Sequence, residues 1–170
     1  MARLALDLKN MVTRKFIDSE TTRRQKMMNG KCLCGSVKFD LEVDELLLYQ
    51  CHCSLCRRQG GSSSNSASII DSSKLHWRSG QDTISSWVKD TGFRSDFCSC
   101  CGSPIPNPLR GMNYHWIPAG LIDNGNFEVV AHLYTDSKAD WETISDIGER
   151  YKTMPQLSDF ISLININGHA

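Results

Sequence analysis

The sequence predicts a mainly β protein built from short antiparallel strands. Apolar and polar residues alternate in short runs, as in residues 37–41, and turn-forming Gly, Asn, Asp and Pro residues separate the runs. Pro104, Pro106 and Pro108 stand at alternate positions, which excludes a helix and a central strand there. The eight cysteines fall into closely spaced groups. We therefore expect small, irregular sheets that are tied together at the cysteines.

Composition predicts a globular chain with one folded domain. The 170 residues can bury a sizeable core, and 40% hydrophobic against 22% charged residues is typical of a folded protein. The formal net charge of zero gives no general attraction to nucleic acid. Residues 1–31 carry eight Lys/Arg and three Asp/Glu, so the positive charge is concentrated there. We expect an N-terminal extension over residues 1–28, a domain over residues 29–155 and a helical C-terminal tail over residues 156–170.

The cysteines are predicted to be reduced rather than paired in disulfides. The chain is longer than a disulfide-stapled scaffold usually is, it shows no secretory signal, and its cysteines have the spacing of metal ligands. No apolar run approaches the roughly 18 residues of a membrane span. These observations predict a cytoplasmic protein with no membrane segment.

The N-terminal half is predicted to hold an appended helix and two strands. Apolar residues at helical spacing in residues 4–12 indicate a short amphipathic helix. Residues 31–41 indicate a strand with one buried face, and residues 46–50 indicate a second strand. Residues 60–68 are rich in Gly and Ser, which favours a loop or an irregular strand.

The C-terminal half is predicted to hold five strands and two helical segments. Residues 75–78 and 83–88 flank a Gly-containing turn, so they are expected to form a hairpin. Further strands are predicted over residues 94–97, 114–122 and 127–134. One helical turn is predicted over residues 139–144, and a helix with one apolar side over residues 157–166.

Cys51, Cys53 and Cys56 give the strongest chemical signal. In extended backbone Cys51 and Cys53 share a face while His52 points the other way, and a tight turn brings the sulfur of Cys56 to the same place. A structural zinc has four protein ligands, whereas a catalytic zinc keeps three and leaves one position for water or substrate. The stretch therefore predicts a three-thiolate catalytic zinc site. In the alternative, His52 is a fourth ligand that closes the site, which strand alternation disfavours.

Cys32, Cys34, Cys98 and Cys101 supply the ligands for a second, structural zinc. If residues 32 and 34 are extended, their sulfurs share a face, and the second pair has the spacing of a zinc knuckle. Such a zinc joins two distant segments and lowers the entropy of the unfolded chain, and its binding energy contributes to folding. Cys100 is left without a ligand role.

Two arginines and three histidines are further candidates for the site. Arg57 and Arg58 directly follow the third cysteine and are candidates for bidentate binding of a substrate carboxylate. The alternative places them on the surface or against the cysteine sulfurs. His52, His115 and His132 are candidates for proton transfer, and a structural role is the simpler interpretation of each.

The cysteine motifs resemble those of the glutathione-dependent formaldehyde-activating (GFA) family. The motifs are Gly30-Lys31-Cys32-x-Cys34-Gly35, Cys51-His52-Cys53-x-x-Cys56-Arg57-Arg58 and Phe97-Cys98-x-x-Cys101-Gly102-Ser103-Pro104. The similarity extends over roughly residues 29–155 and includes His132-Leu133-Tyr134, Trp141 and Met154-Pro155. This sequence departs from the family pattern at Ser63-Ser64-Asn65, where an aromatic residue is common.

The resemblance implies a β-tent fold of coiled antiparallel sheets and two zinc ions per chain. It implies a structural zinc on the four cysteines, a catalytic zinc on the other three, and a carbon–sulfur lyase activity that joins glutathione and formaldehyde to S-hydroxymethylglutathione. The family also includes centromere-protein-V-like members, so a related small-molecule thiol is an alternative substrate. The competing interpretations are a non-catalytic zinc-binding interaction module and a thiol redox enzyme that uses Cys100.

Overall fold

A computed structural model describes residues 27–165 as twelve strands in three sheets, with two short helices. The strands are β1 (Met27–Lys31), β2 (Lys38–Glu42), β3 (Glu45–Cys51), β4 (Asn65–Asp71), β5 (Leu75–Ser79), β6 (Ile84–Val88), β7 (Arg94–Cys98), β8 (Pro104–Ile105), β9 (Asn107–Pro108), β10 (Tyr114–Pro118), β11 (Asn126–Leu133) and β12 (Glu149–Tyr151). The helices are α1 (Ser54–Gly60) and α2 (Leu157–Ile164). The fold is mainly β, as the sequence predicts. The amphipathic helix expected over residues 4–12 lies outside the described residues.

The largest sheet has six strands in the order β12-β11-β3-β4-β10-β9. The prediction that all strands are antiparallel is wrong for this sheet, because β11 runs parallel to both β3 and β12. Parallel neighbours need a long crossover, and the chain between β3 and β11 contains β5 of the second sheet and the whole third sheet, β6-β7-β8. Strand β3 is central and buried on both faces. Leu47, Tyr49 and Cys51 point into one core cluster, while Leu46 and Leu48 point into another.

The second sheet, β1-β2-β5, corrects the prediction of one continuous strand over residues 31–41. The chain instead forms a hairpin, in which Lys31 pairs with Lys38 and residues 32–37 are the turn. The turn closes through hydrogen bonds from Gly35 N–H to the Cys32 carbonyl (2.9 Å) and from Cys32 N–H to the Val37 carbonyl (3.1 Å). Gly35 has a φ of +75°, a conformation that favours glycine. Cys32 and Cys34 therefore lie in a turn rather than in extended backbone.

The third sheet, β6-β7-β8, corrects the prediction of a hairpin between residues 75–78 and 83–88. Strand β5 pairs with β2, whereas β6 pairs with β7. The chain changes sheets at Gly80, which has a φ of +77° and packs directly on the backbone of Ser36. The hairpin of this region joins β6 to β7 instead, so the predicted pairing was wrong although both strands exist.

The remaining segments adjust the predicted elements. Residues 60–68 were predicted as a loop or irregular strand, and their second part is the start of the regular strand β4. The helical turn predicted over residues 139–144 is a single hydrogen-bonded turn, in which the Glu142 N–H donates to the Ala139 carbonyl oxygen at 3.0 Å, and it does not continue as a helix. The C-terminal helix is confirmed as α2, and Phe160 and Ile164 are its buried residues. Within residues 27–165 neither helix is long and apolar enough to span a bilayer.

Candidate metal centre and active site

Two segments from different sheets bring four cysteines together. Cys32 and Cys34 come from the turn between β1 and β2, while Cys98 ends β7 and Cys101 follows it in a tight turn. The four sulfur atoms lie within 4.8 Å of one another, with 3.5 Å between those of Cys32 and Cys34 and 3.8 Å between those of Cys34 and Cys98. Tetrahedral zinc with Zn–S bonds of about 2.3 Å places its sulfurs about 3.8 Å apart. The donor set therefore fits a zinc ion.

Serine hydroxyls and burial give these four thiols different acidities. Hydrogen bonds with the side chain and backbone of Ser36 lower the pKa of the Cys34 thiol. Hydrogen bonds with the side chain and backbone of Ser103 lower the pKa of Cys101 to about 5. Burial raises the pKa of Cys98 to about 12. Cys34 and Cys101 thus ionise more easily than an ordinary thiol, whereas a nearby cation would favour ionisation of the buried Cys98.

The second cluster comes from one stretch of chain, where β3 ends and α1 begins. Cys51 is the last residue of β3, Cys53 is the N-cap of α1, and Cys56 lies in the first turn of the helix. Their sulfur atoms lie within 4.8 Å of one another. A tight turn was predicted between Cys53 and Cys56, and the structure has the first turn of a helix there instead. The N–H of Cys56 points toward the sulfur of Cys53 at 3.5 Å.

Because the three sulfurs are crowded together, one thiol ionises easily and ionisation of the other two becomes harder. Hydrogen bonds from the Cys51 and Cys56 side chains lower the pKa of Cys53 to about 2. The same contact with Cys53 raises the pKa of Cys51 to about 11, and contacts with Cys51 and Cys53 raise the pKa of Cys56. Three adjacent thiolates repel each other unless a cation lies between them. The donor set therefore fits a divalent, thiophilic metal such as zinc.

His52 is turned away from these sulfurs. Its side chain is fully buried, with Nδ1 at 2.9 Å from Oε2 of Glu142 and Nε2 at 3.1 Å from Nδ1 of His132. Both ring nitrogens are thus engaged on the far side of the strand, as alternation predicted. The alternative in which His52 is a fourth ligand does not agree with this arrangement. All eight cysteines, including the exposed Cys100, are free thiols.

A cavity of about 800 Å³ borders the three-cysteine cluster at Cys56. Tyr49 and Trp116 from the six-stranded sheet form one part of its wall, and the segments around residues 92–94 and 107–113, with Gln59 and Val88, form the rest. The charged side chains in the wall are Arg94 and Arg110. No acidic side chain is present among the described residues that line the cavity. The cluster therefore has an adjoining space that is large enough for a small peptide or a similar molecule.

Arg57 and Arg58 do not line this cavity. They border a separate cavity of about 290 Å³, whose wall also contains Ser54, Ser62 and Trp141. The Nε atom of Arg57 is buried and has no hydrogen-bond partner among the described residues. Contact of these arginines with a substrate carboxylate stays a prediction, and the structure places it outside the cavity at Cys56.

Sequence reasoning missed the residues that line the cavity at Cys56. Arg94 comes from one segment and Asn107 and Arg110 from another, and no motif connects them to the cysteines. The one local signal is that Asn107 stands between two prolines in an edge strand. Only the sheet topology places these residues beside the cysteines.

The other candidate histidines have structural contacts. His115 is partly buried, with its Nδ1 at 2.9 Å from Oγ of Ser72, and burial lowers its pKa. His132 is fully buried, burial lowers its pKa, and its Nε2 lies 2.9 Å from the Ile147 carbonyl oxygen. Neither residue lines the cavity at Cys56. These contacts favour the simpler, structural interpretation of both.

Comparison with known proteins identifies the family. The family model described as glutathione-dependent formaldehyde-activating enzyme matches residues 27–137. The comparison with curated proteins finds no match. Among solved structures, a crystal structure of a Rhodobacter sphaeroides protein is similar, with 22% sequence identity and a TM-score of 0.47 over 59% of this chain and 100% of that one. On the family match, which includes all the cysteines of both clusters, the chain belongs to the GFA family.

Proposed function

We propose that the protein is a zinc-dependent carbon–sulfur lyase that acts on a thiol–aldehyde adduct. The reaction of this type joins glutathione and formaldehyde to S-hydroxymethylglutathione, or uses a related thiol. One observation carries the proposal: Cys56 belongs to the three-sulfur cluster and also to the wall of the large cavity. Family membership supports the same activity.

In this proposal the two clusters have different roles. Cys32, Cys34, Cys98 and Cys101 would hold a structural zinc that joins the β1–β2 turn to the end of β7. Cys51, Cys53 and Cys56 would hold a catalytic zinc, which deprotonates a coordinating thiol and keeps it as a thiolate. Eight free thiols agree with a reducing, cytoplasmic setting, which we keep as part of the proposal.

The proposed chemistry needs positioning more than acid catalysis. The thiol loses its proton to solvent, its sulfur lone pair forms the new C–S bond, and the C=O π pair moves to the oxygen, which takes up a proton. Residues in the cavity wall would hold the body of the thiol so that its sulfur lies at Cys56. The reverse reaction breaks the same C–S bond. No oxidant or reductant is required.

Measurement of adduct formation between a thiol and formaldehyde tests the proposal. Adduct formation from glutathione and ¹³C-formaldehyde is followed by NMR, with zinc-loaded wild type, Cys56→Ser and Cys100→Ser. We expect wild type and Cys100→Ser to accelerate adduct formation equally, because Cys100 lies outside both clusters. Cys56→Ser should not exceed the buffer rate. If wild type accelerates the reaction with none of several thiols, the lyase proposal is wrong and the zinc-binding interaction module remains.

A further inference from the structure

Apolar side chains form much of the wall of the cavity beside Cys56. They are Val88, Phe93, Leu109, Met112 and Trp116. When an apolar group of a ligand displaces water from such a surface, binding is favoured by about 25 cal/mol per Å² of buried apolar area. Glutathione carries two carboxylates and an ammonium group, and has no apolar body to place against such a wall. The lining therefore suits a less polar thiol.

The charges around the cavity indicate one anionic group on the ligand. Arg94 donates from Nε and Nη2 to the two carboxylate oxygens of the buried Asp96, at 2.7 and 2.9 Å, so its charge is compensated. Arg110 is exposed and its guanidinium lies over Gly92, where an added Cβ would be 3.0 Å from Nη1. No acidic residue among the described ones lines the cavity to pair with an ammonium group. Arg110 is thus available for one carboxylate.

Asn107 offers a buried hydrogen-bond acceptor in the same wall. It pairs with Trp116 across β9 and β10, both residues line the cavity, and Asn107 is only 4% exposed. Its Oδ1 has no hydrogen-bond partner among the described residues, while its Nδ2 faces the Pro108 carbonyl oxygen at 3.5 Å. Flipping the amide would turn Oδ1 against that carbonyl. An unpaired buried acceptor costs about 1–3 kcal/mol, and an N–H or O–H group of a ligand would remove this cost.

We propose that the cavity selects a thiol with an apolar body, a single carboxylate and a hydrogen-bond donor, in preference to glutathione. Arg110 binds the carboxylate, Asn107 accepts from the donor, and the apolar body contacts Phe93, Met112 and Trp116. The thiol's position at Cys56 rests on the function proposed above. Arg110 and Asn107 are therefore specificity-determining residues for that reaction.

The experiment compares two ligands that differ in these features. N-(mercaptoacetyl)phenylalanine has a thiol, an amide N–H, a phenyl ring and one carboxylate. Its S-methyl ether and S-methylglutathione lack an ionisable thiol, so their binding reports contacts in the cavity rather than chemistry at sulfur. The S-methyl ether of N-(mercaptoacetyl)phenylalanine is called the phenylalanine ligand below. Calorimetry with the zinc-loaded full chain should give it a Kd at least about tenfold lower than that of S-methylglutathione, which corresponds to ~1.4 kcal/mol.

Substitutions of Arg110 and Asn107 test whether these residues contact the ligand. Arg110→Gln should weaken binding of the phenylalanine ligand about tenfold, and Arg110→Lys should weaken it less because the charge remains without the planar fork. Asn107→Leu should weaken it about fivefold, which is the loss of one hydrogen bond. Lys152→Gln removes an exposed cation that does not line the cavity, so it is the control and should bind as wild type.

The outcomes separate this inference from the lyase proposal. Equal or tighter binding of S-methylglutathione, or wild-type binding by Arg110→Gln, overturns the selectivity. If the phenylalanine ligand binds as expected but none of the thiols is converted with formaldehyde, the selectivity stands and the lyase proposal fails. If glutathione is converted and the phenylalanine thiol neither binds nor reacts, the lyase proposal stands and the selectivity fails.

Discussion

The Nε2 atom of His52 lies 3.1 Å from the Nδ1 atom of His132, and both rings are fully buried. The Nε2 atom of His132 faces the Ile147 carbonyl oxygen, which only accepts, so that nitrogen carries the hydrogen. Burial lowers the pKa of His132 and so favours its neutral ring, in which Nδ1 accepts from His52 Nε2–H. His52 Nδ1 lies 2.9 Å from Glu142 Oε2, so both ring nitrogens of His52 are hydrogen-bonded.

This chain of hydrogen bonds fixes the backbone on which the three cysteines stand. His52 is located between Cys51 and Cys53, and its backbone N–H donates to the Leu133 carbonyl oxygen at 2.9 Å. Its ring is anchored to β11 through His132 and to the irregular segment after β11 through Glu142. The path of the chain between the two cysteines is thus set by both backbone and side chain.

We predict that His132→Leu destabilises the fold and weakens the three-cysteine metal site. The change leaves the buried His52 donor unpaired, which costs about 1–3 kcal/mol of unfolding free energy. Loss of a group that orients ligands typically weakens metal binding by about 10–100-fold. Urea denaturation measures the first effect, and zinc retained against a chelator measures the second. The matched control is Glu142→Gln, which keeps a hydrogen-bonding group at His52 Nδ1 and should lose less of both. A His132→Leu protein equal to wild type in both measurements would contradict this role.

A second prediction separates the two cysteine clusters by substitution to serine. Cys98→Ser removes a fully buried sulfur from the cluster that joins the β1–β2 turn to β7. Structural zinc contributes about 10–16 kcal/mol in small zinc domains, which is as large as the whole stability of a typical domain. We expect this variant not to fold. Cys56→Ser should stay folded and retain one zinc per chain instead of two, because its cluster comes from one stretch of chain.

Zinc content by atomic spectrometry and folding by circular dichroism check this pair. Cys100→Ser is the control, since Cys100 is exposed and outside both clusters, and it should match wild type. Equal loss of structure in Cys56→Ser and Cys98→Ser would show that the division into a structural and a catalytic cluster is wrong.

The sequence predicted the features that depend on local spacing. Alternation between Cys51 and Cys53 placed His52 on the opposite side, and the apolar side of residues 157–166 predicted α2 with Phe160 buried. Both follow from the fixed period of strands and helices. The family was also accessible, because three cysteine motifs in one order are far more specific than any single pair.

Features that depend on which segments meet were not accessible in this way. Alternation from Val37 onward looks the same in a hairpin strand as in a longer one, so the turn at Cys32 and Cys34 was missed. Strand β5 pairs with β2 rather than with β6, and the Gly80 that follows β5 packs on Ser36, which is 44 positions away in the chain. For the same reason, no local pattern placed Asn107 and Arg110 beside Cys56.

A third prediction concerns α2, which lies beyond the residues matched by the family model. The ring of Phe160 packs edge-on against Tyr49, with 5.1 Å between centroids, and Tyr49 is two residues from Cys51. Phe160→Ala should lower the unfolding free energy by about 3–5 kcal/mol, because it removes a large side chain that is 1% exposed. Leu157→Ala, on the exposed part of the same helix, should cost less than about 1 kcal/mol. Chemical denaturation compares the two, and equal small losses would mean that α2 does not stabilise the domain.

The last prediction concerns Gly80, which follows β5 of the second sheet. It packs against the β1–β2 turn, which holds two of the four clustered cysteines. A Cβ at position 80 would lie 2.3 Å from the Ser36 carbonyl oxygen and 2.9 Å from the Val37 Cα, both backbone atoms. Gly111 has nearly the same φ, +74° against +77°, but an added Cβ there meets nothing within 4 Å. The two glycines therefore differ in packing while sharing the conformational preference.

Gly111→Ala should cost about 1–2 kcal/mol, which is the penalty of a left-handed residue with a side chain. Gly80→Ala should cost a further 1–3 kcal/mol or so, because the turn of residues 32–37 has to move. That movement displaces Ser36, whose Oγ lies 3.3 Å from the Cys34 sulfur, so Gly80→Ala should also release zinc from the four-cysteine cluster at lower chelator concentration. Denaturant unfolding and chelator titration measure the two effects. Equal losses in Gly80→Ala and Gly111→Ala would show that close packing between Gly80 and the turn contributes nothing, and that conformational preference alone determines glycine at position 80.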